Sequence, residues 1–486
     1  MKPIILAILD GWGYSNKRGG NPILEAQKPN FDAIQSKYPM ALLQASGLAV
    51  GLNWGEFGNS EVGHLSLGAG RVIEQYSTRI DHAIKNGTLN SNSVLVEALQ
   101  HPTVHFIGLL TAGNVHASFE HIIALLDIAK TSGVHTFLHL FTDGKDSGLQ
   151  EGLSLVKKLP QAPTTLIGRD FGMDRDNNWD LTKQAYELIA HAQGEKTEDF
   201  IFALQRCYDA GITDSKIPAF ASSSYEGIQD GDALLFFNFR EDSIRQLYNS
   251  FKDNSFKYSM TKYTDDDNLF LFGPPEIQNT LTGVVSMMKK RQLHIAETLK
   301  YAHVTYFFNG LRNQPCVGEE DVLVQSVKNI EKAPAMCAQE IADRIVSGMT
   351  KYDLIVANFA NADMLAHTGN FEATKNGVEA VDMAIGIVLD MVLKLDGVLL
   401  ITSDHGNAEK LINRVTSESE GRHDDSPVPL FLVGKEFQMT NAKNQNPEII
   451  GILADVAPTI LELMGIEKPM EMTGKSLLPE LLAHDR

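Results

Sequence analysis

Short apolar runs recur along the chain, separated by stretches in which apolar residues return every three or four positions. The runs predict buried strands at Pro3–Leu9, Thr103–Leu110, Val134–Phe141, Thr164–Gly168, Ala233–Phe239, Leu269–Phe272, Val304–Phe308, Asp353–Ala357, Gly397–Ser403 and Val428–Val433. Phe371–Lys394 carries Val378, Val381, Ile385, Val388, Leu389 and Val392 at helical spacing, which predicts one long amphipathic helix. Ile449–Met464 predicts a second helix that Pro458 must start, kink or divide. The two patterns alternate nearly throughout, and that alternation predicts an α/β fold with largely parallel sheets.

At 486 residues the chain exceeds one compact core, so two or three domains are expected. No apolar stretch reaches the roughly 18–20 residues of a membrane span, and nothing near Met1 resembles a signal peptide. Cys207, Cys316 and Cys337 are scattered without metal-type spacing and read as reduced thiols in a cytoplasm. A formal charge of −19 argues against a nucleic-acid partner. It also means that an anionic substrate would need arginines or metals to reverse the field locally. The acidic run Asp265–Asp267 reads as a solvated loop.

Candidate chemistry lies at or just past the ends of predicted strands, where ligand sites of open parallel sheets collect. Pro3–Leu9 runs into Asp10, Asp353–Ala357 leads to Asp363, and Gly397–Ser403 runs into Asp404 and His405. Asp363 and His367 stand four apart, so a helical turn would put both on one face. Each motif also has a plainer reading: Asp10 or Ser60 as a helix cap, His423 as a solvated loop residue. Together, however, Asp10, Ser60, Asp363, His367, Asp404, His405 and His423 suit two divalent cations with a serine hydroxyl between them. That set implies metal-assisted phosphoryl or sulfuryl transfer. These residues fall only within 10–60 and 363–423, whereas His116, Lys145, Asp146, Arg169, Arg175 and Arg240 lie between. The simplest organisation is a metal-binding domain, 1–74 and 276–486, interrupted by an inserted anion-binding domain, 75–275. Gly273-Pro274-Pro275 marks the return.

Several motifs carry a resemblance. They include Asp10-Gly11-Trp12-Gly13, Gly58-Asn59-Ser60-Glu61-Val62-Gly63-His64, Asn361-Ala362-Asp363 through His367-Thr368-Gly369, and Asp404-His405-Gly406-Asn407-Ala408-Glu409. With Met173-Asp174-Arg175-Asp176, Phe236–Arg240 and Lys300-Tyr301-Ala302-His303-Val304-Thr305, they resemble the cofactor-independent phosphoglycerate mutases of the alkaline phosphatase superfamily. The resemblance implies an alkaline-phosphatase-like doubly wound α/β sheet domain with a second α/β domain inserted in the chain. It implies one metal held by Asp363, His367 and His423, and another by Asp10, Ser60, Asp404 and His405, both manganese. Ser60 would take the phosphoryl group from 3-phosphoglycerate and return it to the 2-hydroxyl, with no requirement for bisphosphoglycerate. Lys300 would lie near the phosphoryl group and His116 near the transferring oxygen. Arg169, Arg175, Arg240 and Asp146 would grip the glycerate, and closure of the inserted domain would exclude water. A cytoplasmic monomer acting on a small phosphorylated acid is expected, with no membrane partner.

The departures from that family pattern all fall in the inserted part. Asp143-Gly144-Lys145-Asp146 replaces Asp-Gly-Arg-Asp, Arg240-Glu241-Asp242-Ser243 replaces Arg-Pro-Asp-Arg, and Thr111–Ser118 is altered around His116. Lysine keeps the charge and loses the planar fork of arginine. Two rival readings follow: a metal-dependent phosphatase or mutase for another small phosphorylated acid, and a non-catalytic protein that keeps the fold for binding.

Overall fold

The computed structural model describes residues 2–412, 419, 421–439 and 447–483. The chain forms two compact units, Met1–Glu74 with Glu276–Arg486, and Gln75–Pro275. Each is built on an eight-stranded sheet.

In the first unit, Ile4–Leu9 is an interior strand with every residue buried. It pairs in parallel with Leu354–Phe359 on one side and Val398–Thr402 on the other. Its unbroken apolar sequence suits a strand covered on both faces. Gln292–Glu297 lies beyond Leu354–Phe359, also parallel, and Glu319–Val324 completes that edge. On the other side Val428–Val433 runs antiparallel between Val398–Thr402 and Met40–Gln44, and Ile449–Ile452 closes the sheet. One face is covered by the helices Ala338–Gly348 and Phe371–Lys394, through Ile341, Ile345, Val381 and Val388. The other is covered by Ser60–Ala69, Leu281–Met287 and Val456–Leu463, through Leu67, Val284 and Ile460.

The second unit places its strands in the order Phe270–Phe272, Lys257–Thr261, Ala233–Phe236, Thr103–Leu110, His135–Thr142, Thr165–Gly168, Phe220–Ser222 and Glu195–Thr197. All pairings are parallel except that of Thr165–Gly168 with Phe220–Ser222. No helix among the described residues is long and apolar enough to cross a membrane.

The predicted helix Phe371–Lys394 is found over that same span, capped by the Asn370 side chain accepting from Ala373 N. Two apolar runs behave otherwise. Val304–Phe308 is not a strand: His303–Phe307 winds as a wide helical turn, and the neighbouring strand is Gln292–Glu297. Ile449–Met464 divides into the edge strand Ile449–Ile452 and the helix Val456–Leu463. Pro458 stands in that helix's first turn, where a missing N–H costs nothing. Asp265 and Asp266 are exposed as expected, but Asp267 is structural. Its carboxylate accepts from Tyr263 N, Thr264 N and the Tyr248 hydroxyl.

Candidate active site

In the first unit, four neighbouring parallel strands end at one edge of the sheet, and each delivers chemistry there. Ile4–Leu9 leads to Asp10, Gln292–Glu297 to Lys300, Leu354–Phe359 to Asp363 and Val398–Thr402 to Asp404 and His405. His423 precedes the antiparallel strand Val428–Val433 and so meets the same edge. Asp363 lies in the short helix Asn361–Ala366, which brings His367 Nε2 within 3.2 Å of its Oδ1. Gly11, at φ 70°, passes so close to the Asp363 backbone that a Cβ there would lie 2.8 Å from the Asp363 Cα.

Ser60 begins the helix Ser60–Ala69, and the cap is Asn59, whose side chain accepts from Val62 N. The Ser60 hydroxyl is therefore free for other work at the positive end of the helix. It lies 3.1 Å from Asp10 Oδ1, 2.9 Å from His405 Nε2 and 2.6 Å from Lys300 Nζ. Asp10 likewise caps no helix; it accepts from Ser60, Lys300 Nζ at 2.7 Å and Asn358 Nδ2 at 2.7 Å.

The pocket fits cations. His367 Nδ1 donates to Gly421 O and His423 Nδ1 to Gly58 O, so both Nε2 atoms carry lone pairs when the rings are neutral. Those two atoms lie 3.1 Å apart, with Asp363 Oδ1 3.2 and 3.3 Å away. With no cation present, the hydrogen bond to Asp363 pulls the His367 pKa above its usual value. Asp404 Oδ2 is buried without a hydrogen-bond partner. Lys300 puts its ammonium 2.7 Å from both Asp10 Oδ1 and Asp363 Oδ2, where it acts as a resident cation. Burial opposes that charge, yet the carboxylates outweigh burial and hold the lysine pKa above its ordinary value. His405 follows the same logic: fully buried, it is pushed up to about 10 by Asp404, Asp10 and Asp363.

His405 sits among three carboxylates, 3.5 Å from Asp10 Oδ1, 3.6 Å from Asp404 Oδ2 and 3.9 Å from Asp363 Oδ1. His64 is a residue that sequence reasoning did not single out, although it lies within 3.1 Å of Asp404 Oδ2. Asn358 Nδ2 donates both to Asp10 Oδ2 and to His64 Nε2 at 3.0 Å. That donor leaves His64 Nδ1 protonated, and it faces Ser60 O at 2.8 Å. Both ring nitrogens are thus engaged by neighbours. Asn407 Nδ2 donates to Asp363 Oδ1 at 2.8 Å, and Glu409 Oε2 accepts from Gly13 N and Asn407 N. A further group with ligand-type side chains, His294, Glu319 and Asp321, is partly engaged, with His294 Nε2 and Asp321 Oδ1 buried and without a hydrogen-bond partner. His294 Nδ1 donates to Val304 O, and the two Glu319 oxygens accept from Asn309 and Cys316.

The second unit gathers its predicted residues by the same rule. His116 follows Thr103–Leu110, Lys145 and Asp146 follow His135–Thr142, Arg169 and Arg175 follow Thr165–Gly168, and Arg240 follows Ala233–Phe236. Every cation among them is already paired. Arg169 Nη1 reaches Asp143 Oδ1 and Asp146 Oδ2, each at 2.5 Å; Lys145 meets Asp170 at 2.5 Å. Arg175 and Arg240 both meet Asp242. Burial would raise the Asp143 carboxyl, but Thr111, the Asp146 N–H and Arg169 outweigh it and hold it below the usual range. Arg169 is buried, whereas the side chains of Arg175 and Arg240 are 60% and 52% exposed. Ser243 is buried at 3%. Asp143 and Asp242 were visible only as members of motifs; nothing local in the sequence marks a carboxylate as the partner of a distant arginine. Lys300 is not in this cluster and belongs with Ser60.

Residues 2–468 match the Metalloenzyme superfamily. The chain is 39% identical to the 2,3-bisphosphoglycerate-independent phosphoglycerate mutase of Clostridioides difficile, over 98% of this chain and 99% of that one. Its identity to the enzyme of the same name from Clostridium acetobutylicum is 41%, with the same coverage. Among solved structures, a Leishmania mexicana phosphoglycerate mutase crystallised at low cobalt concentration superposes with a TM-score of 0.67 at 28% identity, covering 98% of this chain and 97% of that one.

Proposed function

The chain belongs to the 2,3-bisphosphoglycerate-independent phosphoglycerate mutases of the metalloenzyme superfamily, and from that premise we propose that Ser60 carries a phosphoryl group between the 3- and 2-positions of glycerate. The protein is an isomerase that interconverts 3-phosphoglycerate and 2-phosphoglycerate without added bisphosphoglycerate. The observation that carries the Ser60 assignment is the meeting of one hydroxyl with Asp10, His405 and Lys300 at 2.6–3.1 Å, at the head of a helix.

Asp363, His367 and His423 would hold one divalent cation, and Asp10, Ser60, Asp404 and His405 a second. Manganese suits their mixed oxygen and imidazole donors. Such cations supply charge neutralisation for a phosphoryl group and make the serine hydroxyl more acidic. The protein's own contribution starts with Ser60, which needs a base or a positive neighbour before it attacks. Asp10 accepts the hydroxyl's hydrogen bond and so lies on its proton's way out, and Lys300 would steady the oxygen and the incoming phosphoryl group. The serine oxygen bonds to phosphorus as the bond to the glycerate 3-oxygen breaks, leaving phosphoserine and glycerate. The second transfer reverses this onto the 2-oxygen, whose proton must leave.

In the second unit, Arg169, Arg175, Arg240, Lys145, Asp146 and His116 would bind the glycerate carboxylate and hydroxyls. Lys145 in place of an arginine changes the shape of that grip and not its charge. Activity on a different phosphorylated acid is not favoured. The same reading places the enzyme in glycolysis and gluconeogenesis, as a cytoplasmic monomer. Supplying the purified, manganese-loaded protein with 3-phosphoglycerate alone should yield 2-phosphoglycerate; a protein that makes none, or releases only inorganic phosphate, rules the mutase reading out.

A further inference from the structure

Asp242 lies where three basic groups of the second unit meet. Its Oδ2 accepts from Arg175 Nη1 at 2.8 Å, and its Oδ1 lies 3.3 Å from Arg240 Nε and 3.4 Å from His116 Nδ1. His116 Nδ1 and Asp242 Oδ1 are both buried and make no hydrogen bond, so they meet as neighbouring charges, while His116 Nε2 faces Asp146 Oδ2 at 3.8 Å. The three basic groups come from different segments: His116 after Thr103–Leu110, Arg175 after the short helix Arg169–Gly172, and Arg240 after Ala233–Phe236. The backbone reinforces the meeting, since Phe239 N and Arg240 N both donate to His116 O, at 2.9 and 3.4 Å.

A carboxylate among groups that must hold an anion competes for their N–H donors, so its presence needs a reason. Arg175 and Arg240 are more than half exposed, and untethered they would sample many rotamers. A guanidinium held by one edge keeps its remaining N–H donors for a ligand while losing that freedom in advance. We propose that Asp242 is a positioning residue: it gathers Arg175, Arg240 and His116 into one preformed anion clamp. The inference rests on the reading of those three groups as substrate-binding residues.

The charges facing the His116 ring are Asp242, Arg169, Arg240 and Asp146. Burial pushes the imidazole down, and Asp242 opposes it more than Asp146 does. Removing the Asp242 charge therefore lowers the His116 pKa further. The test is steady-state conversion of 3-phosphoglycerate by manganese-loaded Asp242→Asn, Asp242→Ala and Asp242→Glu over a range of pH. Asp242→Asn keeps the shape of the side chain, so it carries the test if Asp242→Ala fails to fold. The expected result for Asp242→Asn is a KM raised about ten-fold or more with a smaller change in kcat, as befits lost charge-assisted hydrogen bonds. The acid limb of kcat/KM should move to lower pH, and Asp242→Glu should recover part of the affinity. A thermally stable Asp242→Asn with the KM and pH limb of the unaltered enzyme would overturn the proposal. So would a lowered KM, which would mean that Asp242 competes with substrate and does not organise its ligands. If the unaltered enzyme makes no 2-phosphoglycerate, the mutase reading itself fails; normal behaviour of Asp242→Asn beside an active parent removes only the role of Asp242.

Discussion

His367 and His423 point their Nε2 atoms at each other across 3.1 Å, and each has committed its Nδ1 to a backbone carbonyl. Two neutral rings cannot hydrogen-bond in that arrangement, because neither facing nitrogen bears a proton. A cation between them and Asp363 resolves the contact. Chelation should therefore abolish activity, and manganese should restore it. His423→Ala should weaken one bound ion by more than the roughly 10–100-fold typical of losing an outer partner, read by metal analysis after dialysis. Full turnover in metal-free protein would contradict this account.

Ser60→Ala should leave the fold intact and remove transfer, since the phosphoryl group loses its acceptor. Mass spectrometry of the unaltered enzyme quenched during turnover should find phosphate on Ser60. Near-normal turnover by Ser60→Ala would refute the serine route.

Asn358 ties Asp10, which accepts from the Ser60 hydroxyl, to His64, with the Asn358, Asp10 and His64 side chains fully buried. Asn358→Ala strips a donor from a carboxylate and from an imidazole at once. A stability loss of about 1–3 kcal/mol per abandoned group is expected, measured by urea denaturation, together with a larger fall in kcat. If stability and kcat both stay at parental levels, Asn358 does not support the site.

How far the sequence reaches is visible in these same residues. The interior strands and the long helix were legible because Ile4–Leu9 and Phe371–Lys394 follow their periodicities without interruption. Val304–Phe308 misled because a continuous apolar run suits a buried turn of helix as well as a strand. Glu319–Val324, half polar at the sheet edge, offered only the apolar triplet Val322–Val324, too short a run to mark a strand. Asp10, Asp363 and Asp404 could be placed because strand ends converge in a parallel sheet. Asn358 could not, although a lone amide inside an apolar strand is a signal of a buried polar contact. Asp242 was hidden for a different reason: its partners come from three separated loops, and only the folded sheet edge brings them together.

A buried imidazole pair in the second unit sets an acid limit on stability. His105 Nδ1 and His139 Nε2 lie 2.9 Å apart, with Asp232 at the far side of His105 and Thr165 at the far side of His139. Burial drives the His139 pKa well below its ordinary value, with His105 adding to the effect. The unfolded chain, with ordinary imidazoles, takes up a proton below about pH 6.5 that folded His139 refuses. Stability conferred at neutral pH is therefore lost as pH falls, at up to about 1.4 kcal/mol per pH unit for this group. Denaturation of His139→Gln should show a shallower decline between neutral and mildly acid pH than the parent. An identical slope would mean that His139 does charge in the folded state.

The interior strand Ile4–Leu9 leaves the ribosome well ahead of both its neighbours: Leu354–Phe359 comes ~350 residues later and Val398–Thr402 later still. At typical elongation rates that wait is on the order of tens of seconds. The contiguous stretch Gln75–Pro275 is finished first and has all eight of its strands in hand. During synthesis the guest is therefore complete before its host can begin to close. The sequence Ile-Ile-Leu-Ala-Ile-Leu spends that interval without its two sheet neighbours, and chaperone demand should fall on that strand of the nascent chain.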